Sequence, residues 1–253
     1  MILFNAVIVN YFLIIMEFNL TLCYNKLQVM IMQVKISEEV KSLVNTCTLG
    51  VIHYKALIEK SSFELIEYFD SIMEEIGSKY ETKDIALMPH IKPTRAAYKA
   101  LGKDPHSYRG AAEQMLRRVI LKKGLYHVNN AVDINNIISV KSGYSIGSYD
   151  VSQIVGDAIL RRAPEGTHYK GIGKDDYEYN VEFLPAFFDE IGCFGNPSSD
   201  SQRTMLKNGV REVLFVFYAF DGADGLEYWM DETERLLSEY CSDYATLEKL
   251  IVE

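Results

Sequence analysis

The sequence has few cysteines and no closely spaced pair of them. The four cysteines among the 253 residues are scattered, at Cys23, Cys47, Cys193 and Cys241. Their spacing excludes a disulfide framework and a zinc-ribbon type of site, and it makes a reducing compartment the default. The acidic stretch of Asp175, Asp176 and Glu178 is interpreted as a surface loop rather than as a cation site. We therefore predict a cytoplasmic protein with no metal and no cofactor.

No apolar run in the sequence is long enough to cross a bilayer. The run from residue 1 to 16, "MILFNAVIVNYFLIIM", is interrupted by Asn5 and Asn10. It falls short of the roughly 20 residues that a spanning helix needs. It also lacks the basic region and the small-residue cleavage site of a secretory signal. We predict no membrane partner, and we interpret residues 1–31 as a leader or upstream extension that precedes one domain, residues 32–253.

Positive charge is scarce overall but concentrated in one window of the chain. The net charge is −9, which argues against a surface that binds nucleic acid over its whole extent. Residues 92–123 nevertheless have a net charge of +7, so the remainder of the chain has −16. Two interpretations stay open, a solvated helical face or a local face that binds RNA phosphates. The candidate RNA-binding residues are Arg95, Lys99, Arg109, Arg117, Arg118, Lys122 and Lys123.

The order of apolar patterns along the chain predicts an α+β fold. Helical periodicity predicts five helices, at about 62–80, 94–101, 110–123, 129–143 and 226–241. β-like runs are predicted at 33–36 and 49–58, and from residue 145 onward short β-like runs are separated by Gly, Pro and Asp turns. No internal repeat, low-complexity tract or linker divides residues 33–253. The pattern indicates helices first and a compact β region second.

Residues 143–147 read Gly-Tyr-Ser-Ile-Gly and match the G-x-S-x-G pattern of a hydrolase nucleophile. That pattern requires a strand entering the serine turn and a helix leaving it. Here a predicted helix enters at Gly143, and an extended segment leaves through Ile146 and Tyr149. The order of a serine triad fails as well, since His168 is the only histidine after Ser145. Ser145 is therefore not predicted to be a nucleophile.

Three longer stretches resemble a known family. Residues 129–150, "NNAVDINNIISVKSGYSIGSYD", resemble a segment of the bacterial phenylalanyl-tRNA synthetase β chain. That segment runs Asn-x-x-Val-Asp-x-x-Asn-Tyr, ends in His-Ala-Phe-Asp and belongs to the B3/B4 editing domain. Residues 94–125 and 183–204 resemble free-standing B3/B4 proteins. The resemblance implies N-terminal helices packed on a compact, mostly antiparallel β core, with a pocket where the "VDxxN" helix meets the β region.

The resemblance also implies site residues. In the synthetase the domain hydrolyses tyrosine wrongly esterified to the phenylalanine tRNA. Gly147 stands where the motif has its histidine, which implies added space in the pocket for a different or larger ligand. The loop at 196–204 supplies hydroxyls, a carboxylate and a fixed cation. The implied catalytic residues are Asn136, Asp200 and Ser201. The implied substrate-binding residues are Asn136, Ser145, Gly147, Asp150, Ser198, Ser199, Arg203 and Thr204.

Two functional hypotheses follow from this site. The first is an enzyme that acts in trans and hydrolyses a mischarged aminoacyl-tRNA or a related aminoacyl ester. The second is a module that binds an amino acid or small metabolite in the same pocket without turnover, which the absent histidine favours. Both hypotheses require the helix that carries residues 133–136 and the turn at 198–201 to line one water-accessible hollow.

Overall fold

Helices and strands are interleaved along residues 32–173 and 178–253, the part of the chain that the computed structural model describes. The six α-helices of these ranges are α1 (Glu38–Leu43), α2 (Phe63–Lys79), α3 (Ile91–Leu101), α4 (Ala111–Ile120), α5 (Asn130–Ser142) and α6 (Leu226–Tyr240). Their eleven strands are β1 (Val34–Ile36), β2 (Thr48–Ile58), β3 (Ser145–Asp150), β4 (Ala158–Arg162), β5 (His168–Lys170), β6 (Glu178–Asn180), β7 (Pro185–Phe188), β8 (Cys193–Asn196), β9 (Ser199–Asp200), β10 (Gly209–Ala219) and β11 (Ala245–Val252).

Two predictions fall wholly or partly outside these ranges. The leader at residues 1–31 and the acidic residues Asp175 and Asp176 lie outside the described residues. The boundary of the folded domain at residue 32 therefore stays a prediction. Among the described residues no helix is both long and apolar enough to span a membrane.

The strands form two large sheets and one short hairpin. The first sheet has the order β11-β2-β10-β3 and is antiparallel throughout. The second has the order β1-β4-β7-β8-β9, in which β1 and β4 pair in parallel and the other pairs are antiparallel. Strands β5 and β6 pair with each other. The predicted α+β class with a mostly antiparallel β core is confirmed.

The long strands β2 and β10 pair along their whole length, eleven residues each. Strand β2 comes before most of the helices, so the central sheet draws on both ends of the described chain. The β-like run predicted at 49–58 is confirmed as this strand, and it pairs with β10 instead of lying apart from the later β region. Periodicity identifies a strand, but it gives no information about a partner some 150 residues away.

Helix α5 is the central helix of the layer that covers the first sheet. Most of its residues are buried on every side, so it has no polar face for water. Asn129 caps its start by accepting a hydrogen bond from the Val132 amide at 2.9 Å. Gly143, at a φ of 84°, ends it in the left-handed conformation that favours glycine. Both ends of α5 are thereby fixed, and with them the side chains that it presents.

Two other helix ends differ from the prediction. Helix α3 begins at Ile91, three residues before the predicted start, because Pro93 fits within a first turn whose amides have no helical partner. Helix α4 ends at Ile120 rather than at Lys123, since Lys122 adopts a left-handed φ of 55°. The two lysines after it therefore lie beyond the helix.

Candidate functional site

A cavity of about 220 Å³ lies where α4 and α5 meet the edges of both large sheets. Its apolar wall consists of Ala111, Met115, Val128, Val132, Ile146, Ile172, Met205 and Leu206. Its polar lining consists of Asn135, Asn136, Ser148 and Asp200. The structure thus brings together Asn136 and Asp200, which come from the helix and the turn that both functional hypotheses require to converge.

The cavity depends on the contact between two edge strands. Strand β3 is an edge of the first sheet, and β9 is an edge of the second. The Asp150 amide donates to the Thr204 carbonyl at 2.9 Å, and the Ser148 amide donates to the Asp200 carboxylate. Asn196 shapes the turn before β9 by accepting a hydrogen bond from the Ser198 amide at 2.7 Å. These backbone contacts place the Asp200 side chain at the cavity.

Burial governs the electrostatics of Asp200. Its loss of solvent raises the pKa of the carboxyl group to about 7, although three hydrogen-bond donors oppose the rise. These donors are the Tyr149 hydroxyl, at 2.8 Å, and the amides of Ser148 and Asn196. In the described part of the chain no lysine, arginine or histidine forms an ion pair with this carboxylate. A pKa of about 7 lies near neutral pH, the range that favours proton transfer by a general base.

The two adjacent asparagines of α5 have different surroundings. The Asn135 amide nitrogen donates to Ser148 Oγ at 2.7 Å and to the Ile146 carbonyl at 3.3 Å, and its oxygen accepts from Ser139. Asn135 is therefore committed to joining α5 to β3. Asn136 is partly exposed, and its side chain makes no hydrogen bond within the described residues. Its amide is the group that a ligand in the cavity can reach.

Gly147 does not open space for a ligand. A Cβ atom at this position would lie 2.1 Å from the hydroxyl oxygen of Tyr149. A Cβ at Gly195, on β8, would lie 2.4 Å from the same ring. The Tyr149 side chain thus fills the space between the two glycines, and the expectation of a larger pocket at Gly147 is corrected.

Ser145 supports a helix and lies away from the cavity lining. Its Oγ accepts a hydrogen bond from the Ala112 amide at 3.4 Å, at the first turn of α4. Because side chains alternate along a strand, Ser145 lies on the face of β3 opposite Ile146 and Ser148, which do line the cavity. The serine of the G-x-S-x-G pattern is thus a buried helix-capping group.

The charged groups of Asp150 and Arg203 are used internally. Asp150 accepts hydrogen bonds from the amide and hydroxyl of Ser152, at 3.0 and 2.6 Å. Arg203 forms a bidentate pair with the buried Asp189, with both nitrogen–oxygen distances at 2.9 Å. Neither residue lines the cavity, and neither offers a free charge to a ligand there.

The predicted hydroxyl residues divide into two groups. Ser201 and Thr204 are buried with their hydroxyls 3.3 Å apart, and Ser201 does not line the cavity. Ser198 and Ser199 line an adjoining hollow, which shares Ile172 with the cavity. The Ser198 hydroxyl is also 2.6 Å from that of Tyr98. Asp200 is therefore the residue of this turn that the structure places in the cavity.

The basic window contains both neutralised and free cations. The buried Glu113 carboxylate forms ion pairs with Arg95, Arg109 and Arg117. Arg118 donates to the carbonyls of residues 123 and 124 and thereby ends α4. The free cations of the predicted set, which are exposed and have no acidic partner among the described residues, are Lys99, Lys122 and Lys123. Helix α4 lines the cavity through Ala111 and Met115 at its start, whereas Lys122 and Lys123 lie beyond its other end.

Sequence reasoning missed four residues that build the site, namely Tyr149, Tyr218, Asn135 and Ser148. One signal for them exists in the sequence. A glycine inside a strand often marks a close approach by another group, and Gly147 stands two residues before Tyr149 on the same face of β3. The partners themselves lie too far along the chain to be read from local patterns.

Comparisons with known proteins find β subunits of phenylalanyl-tRNA synthetase. The β subunit of phenylalanine–tRNA ligase from Bifidobacterium longum (strain NCC 2705) is 28% identical over 69 residues, which cover 27% of this chain and 8% of that protein. The crystal structure of an N-terminal fragment of the phenylalanyl-tRNA synthetase β subunit from Pyrococcus horikoshii matches with a TM-score of 0.44 and 11% identity. That match covers 88% of this chain and 50% of the fragment. The chain thus spans only a small part of the curated relative.

The family model of the B3/4 domain matches residues 93–240, which include α4, α5, the cavity, strands β3 and β10 of the first sheet and all strands of the second sheet except β1. The resemblance to the B3/B4 domain of the synthetase β chain is therefore confirmed. Since the match extends over more than half of the sequence, this chain belongs to the B3/4 domain family.

Proposed function

We propose that this protein hydrolyses the ester bond of a mischarged aminoacyl-tRNA or of a related aminoacyl ester. The observation that carries the proposal is that Asp200 and Asn136 line one small, mostly apolar cavity. Its volume of about 220 Å³ is below that of typical drug-sized sites and suits a single amino acid. The kinship with a tRNA ligase subunit supports an aminoacyl-tRNA as the source of that amino acid.

In the proposed reaction the Asp200 carboxylate removes a proton from a water molecule as the water oxygen attacks the ester carbonyl carbon. The tetrahedral intermediate then collapses and the bond between that carbon and the ribose oxygen breaks. The departing oxygen takes the proton back from Asp200, so that the products are a free amino acid and a tRNA with its terminal hydroxyl restored. A carboxyl pKa of about 7 suits both directions of this transfer near neutral pH.

Asn136 has the role of orienting the substrate in this proposal. Its amide nitrogen can donate to the carbonyl oxygen on which negative charge develops, and its amide oxygen can accept from the substrate's ammonium group. The apolar wall holds the amino-acid side chain and excludes bulk water. A direct test offers the purified protein a panel of aminoacyl-tRNAs and measures the released amino acid. Release no greater than in a protein-free blank would contradict catalysis.

The second candidate function is a receptor for an amino acid or small metabolite in the same cavity, without turnover. It is favoured by the lining, which among the described residues contains no histidine and has two amides, a hydroxyl and one carboxylate as its polar groups. Such groups hold an ammonium ion without further chemistry. Two experiments distinguish the two functions: a thermal-shift screen with free amino acids and the hydrolysis assay described above. A receptor is stabilised by its ligand but releases nothing from any ester.

An RNA partner is part of the proposed function, and it predicts a salt-dependent role for the lysines after α4. We expect replacement of Lys122 and Lys123 by glutamate to weaken tRNA binding and to lower the slope of log affinity against log salt by about 2. The measurement is a tRNA titration at several salt concentrations. The control is the double variant with Lys41 and Lys60 replaced by glutamate, which makes the same change of charge outside the basic window. Equal affinities and slopes for all three proteins would show that these lysines only keep the surface hydrated.

A further inference from the structure

The Tyr149 side chain occupies a slot that two glycines make possible. It is fully buried, and its ring lies against the backbone of Gly147 on its own strand and of Gly195 on β8. The rings of Phe187 and Phe194 pack edge-on against it, with centroids at 6.1 and 5.1 Å. With glycine on two sides and aromatic rings on the others, the ring has one position available to it.

The hydroxyl of Tyr149 stands in the middle of a directed chain of hydrogen bonds. It donates to Asp200 Oδ1 at 2.8 Å, and its oxygen lies 2.6 Å from the hydroxyl of Tyr218. Because the single Tyr149 proton points to the carboxylate, the proton between the two tyrosines must come from Tyr218. A donor that itself accepts a hydrogen bond is polarised and binds a carboxylate more strongly.

Among the described residues, the other groups around Asp200 come from four strands, and none of them is a cation. Strand β3 contributes the Ser148 amide beside Tyr149, and β8 contributes the Asn196 amide. Strand β10 contributes Tyr218, and β5 contributes Tyr169, whose hydroxyl donates to the Ser199 carbonyl. With no opposite charge to orient it, the carboxylate depends on its hydrogen-bond donors for its direction and its acidity.

We propose that Tyr149 is the positioning residue of Asp200: its hydroxyl, held by Tyr218 and by the slot between Gly147 and Gly195, fixes the carboxyl group at the edge of the cavity. Tyr149 does not line the cavity, so it acts on a ligand only through Asp200. The consequence for hydrolysis rests on the proposed function, whereas the effect on the Asp200 carboxyl group does not.

The test is Tyr149→Phe, which removes one oxygen and keeps the ring. A hydrogen bond to a carboxylate stabilises its ionised form, so its loss should raise the pKa of Asp200 by about one unit. Titration of the carboxyl carbon by NMR, in protein labelled with carbon-13 at aspartate Cγ, measures this shift directly. The pH profile of hydrolysis should move to higher pH by the same amount, while KM stays near that of the unmodified protein.

Two further variants make the test specific. Tyr218→Phe keeps the donor to Asp200 but removes the group behind it, so a smaller shift in the same direction is expected. Tyr98→Phe removes an equally buried hydroxyl, bonded to Ser198 instead, and should leave the Asp200 titration unchanged. An unshifted Asp200 titration in folded Tyr149→Phe overturns the proposal.

If Tyr149→Phe does not fold, the test rests on Tyr218→Phe. A change in the pKa of Asp200 no larger in Tyr218→Phe than in Tyr98→Phe then overturns the proposal. The titration needs no turnover. Absence of hydrolysis by the unmodified protein would therefore overturn the proposed function while leaving the positioning role to be judged by the NMR result.

Discussion

Replacement of Asp200 by asparagine is expected to lower the rate of ester hydrolysis by about 10²–10⁴-fold, because an amide cannot accept the proton of the attacking water. The change is nearly isosteric, so binding of the amino-acid part should persist and the loss should appear in kcat rather than in KM. Single-turnover hydrolysis of the aminoacyl-tRNA that the panel identifies measures it. The matched control is Asp150→Asn, a buried carboxylate nearby that does not line the cavity.

The same replacement has an expected signature in stability. The folded pKa of Asp200, about 7, lies above its ordinary value of 3.8. Between these values the folded chain keeps a proton that the unfolded chain has lost. Stability therefore falls as pH rises from about 4 to about 7, by up to about 4 kcal/mol in total. Asparagine resembles the protonated acid and does not titrate, so the variant should not lose this stability as the pH rises.

We therefore expect Asp200→Asn to be more stable than the unmodified protein at about pH 8 and similar to it at about pH 4. Denaturant unfolding at both pH values measures the difference in the free energy of unfolding. A variant that is both inactive and less stable at about pH 8 would show that the carboxylate serves the fold rather than the reaction.

Replacement of Gly147 by alanine is expected to destabilise the fold by about 3 kcal/mol or more. The new methyl group would lie 2.1 Å from the Tyr149 hydroxyl oxygen, and the ring cannot retreat because Gly195 bounds its other side. Denaturant unfolding gives the loss. The control is Gly171→Ala, at another non-helical glycine, where a Cβ would meet its nearest atom at an ordinary 3.4 Å.

A double-mutant cycle shows whether contact with Tyr149 causes the destabilisation by Gly147→Ala. With Tyr149 replaced by alanine, the added cost of Gly147→Ala should largely disappear, which is a strong coupling between the two positions. Additive costs in the double variant would contradict the proposed contact. On the same ground we expect histidine at position 147 to be tolerated only in chains that lack the Tyr149 ring.

Local patterns in the sequence were sufficient to predict the helices and the type of fold. The caps at Asn129 and Gly143 fix α5 where its apolar spacing placed it, and the turn before Asp200 is set by the side chain of Asn196. The residues of the "VDxxN" helix and the serine-rich turn could therefore be chosen as candidates. Their resemblance to the synthetase segment added the expectation that they converge.

Partners far apart in the sequence could not be predicted in the same way. The capping of α4 by Ser145 joins residues 33 positions apart, and the Arg203–Asp189 pair joins residues on separate loops. Three arginines meet Glu113 from α3, from α4 and from the loop between them. The sequence does not show whether the hydroxyl of a serine, or the charge of an arginine or lysine, is exposed to water or bonded to a buried partner. Only the fold distinguishes these cases.

Gly147 illustrates the limit of a motif comparison. The synthetase motif is His-Ala-Phe-Asp, and this chain has Gly147, Ser148, Tyr149 and Asp150 at the same positions. Taken one position at a time, the first difference removes a side chain and the third adds a hydroxyl. In the fold the added hydroxyl lies in the space that the removed side chain would need. The two differences therefore meet at one place in the structure and cannot be interpreted independently.

The cavity exists only where β3 of one sheet meets β9 of the other, and this links occupancy to folding. A molecule bound by Asn136 and Asp200 bridges helix α5 and the second sheet. Its binding free energy therefore adds to the free energy needed to separate these two parts of the fold. Substitutions that destabilise the contact between β3 and β9 should weaken the binding of a ligand, even when the substituted residues do not contact that ligand. Affinity in such a protein is a property of the whole folded domain as much as of the groups at the contact.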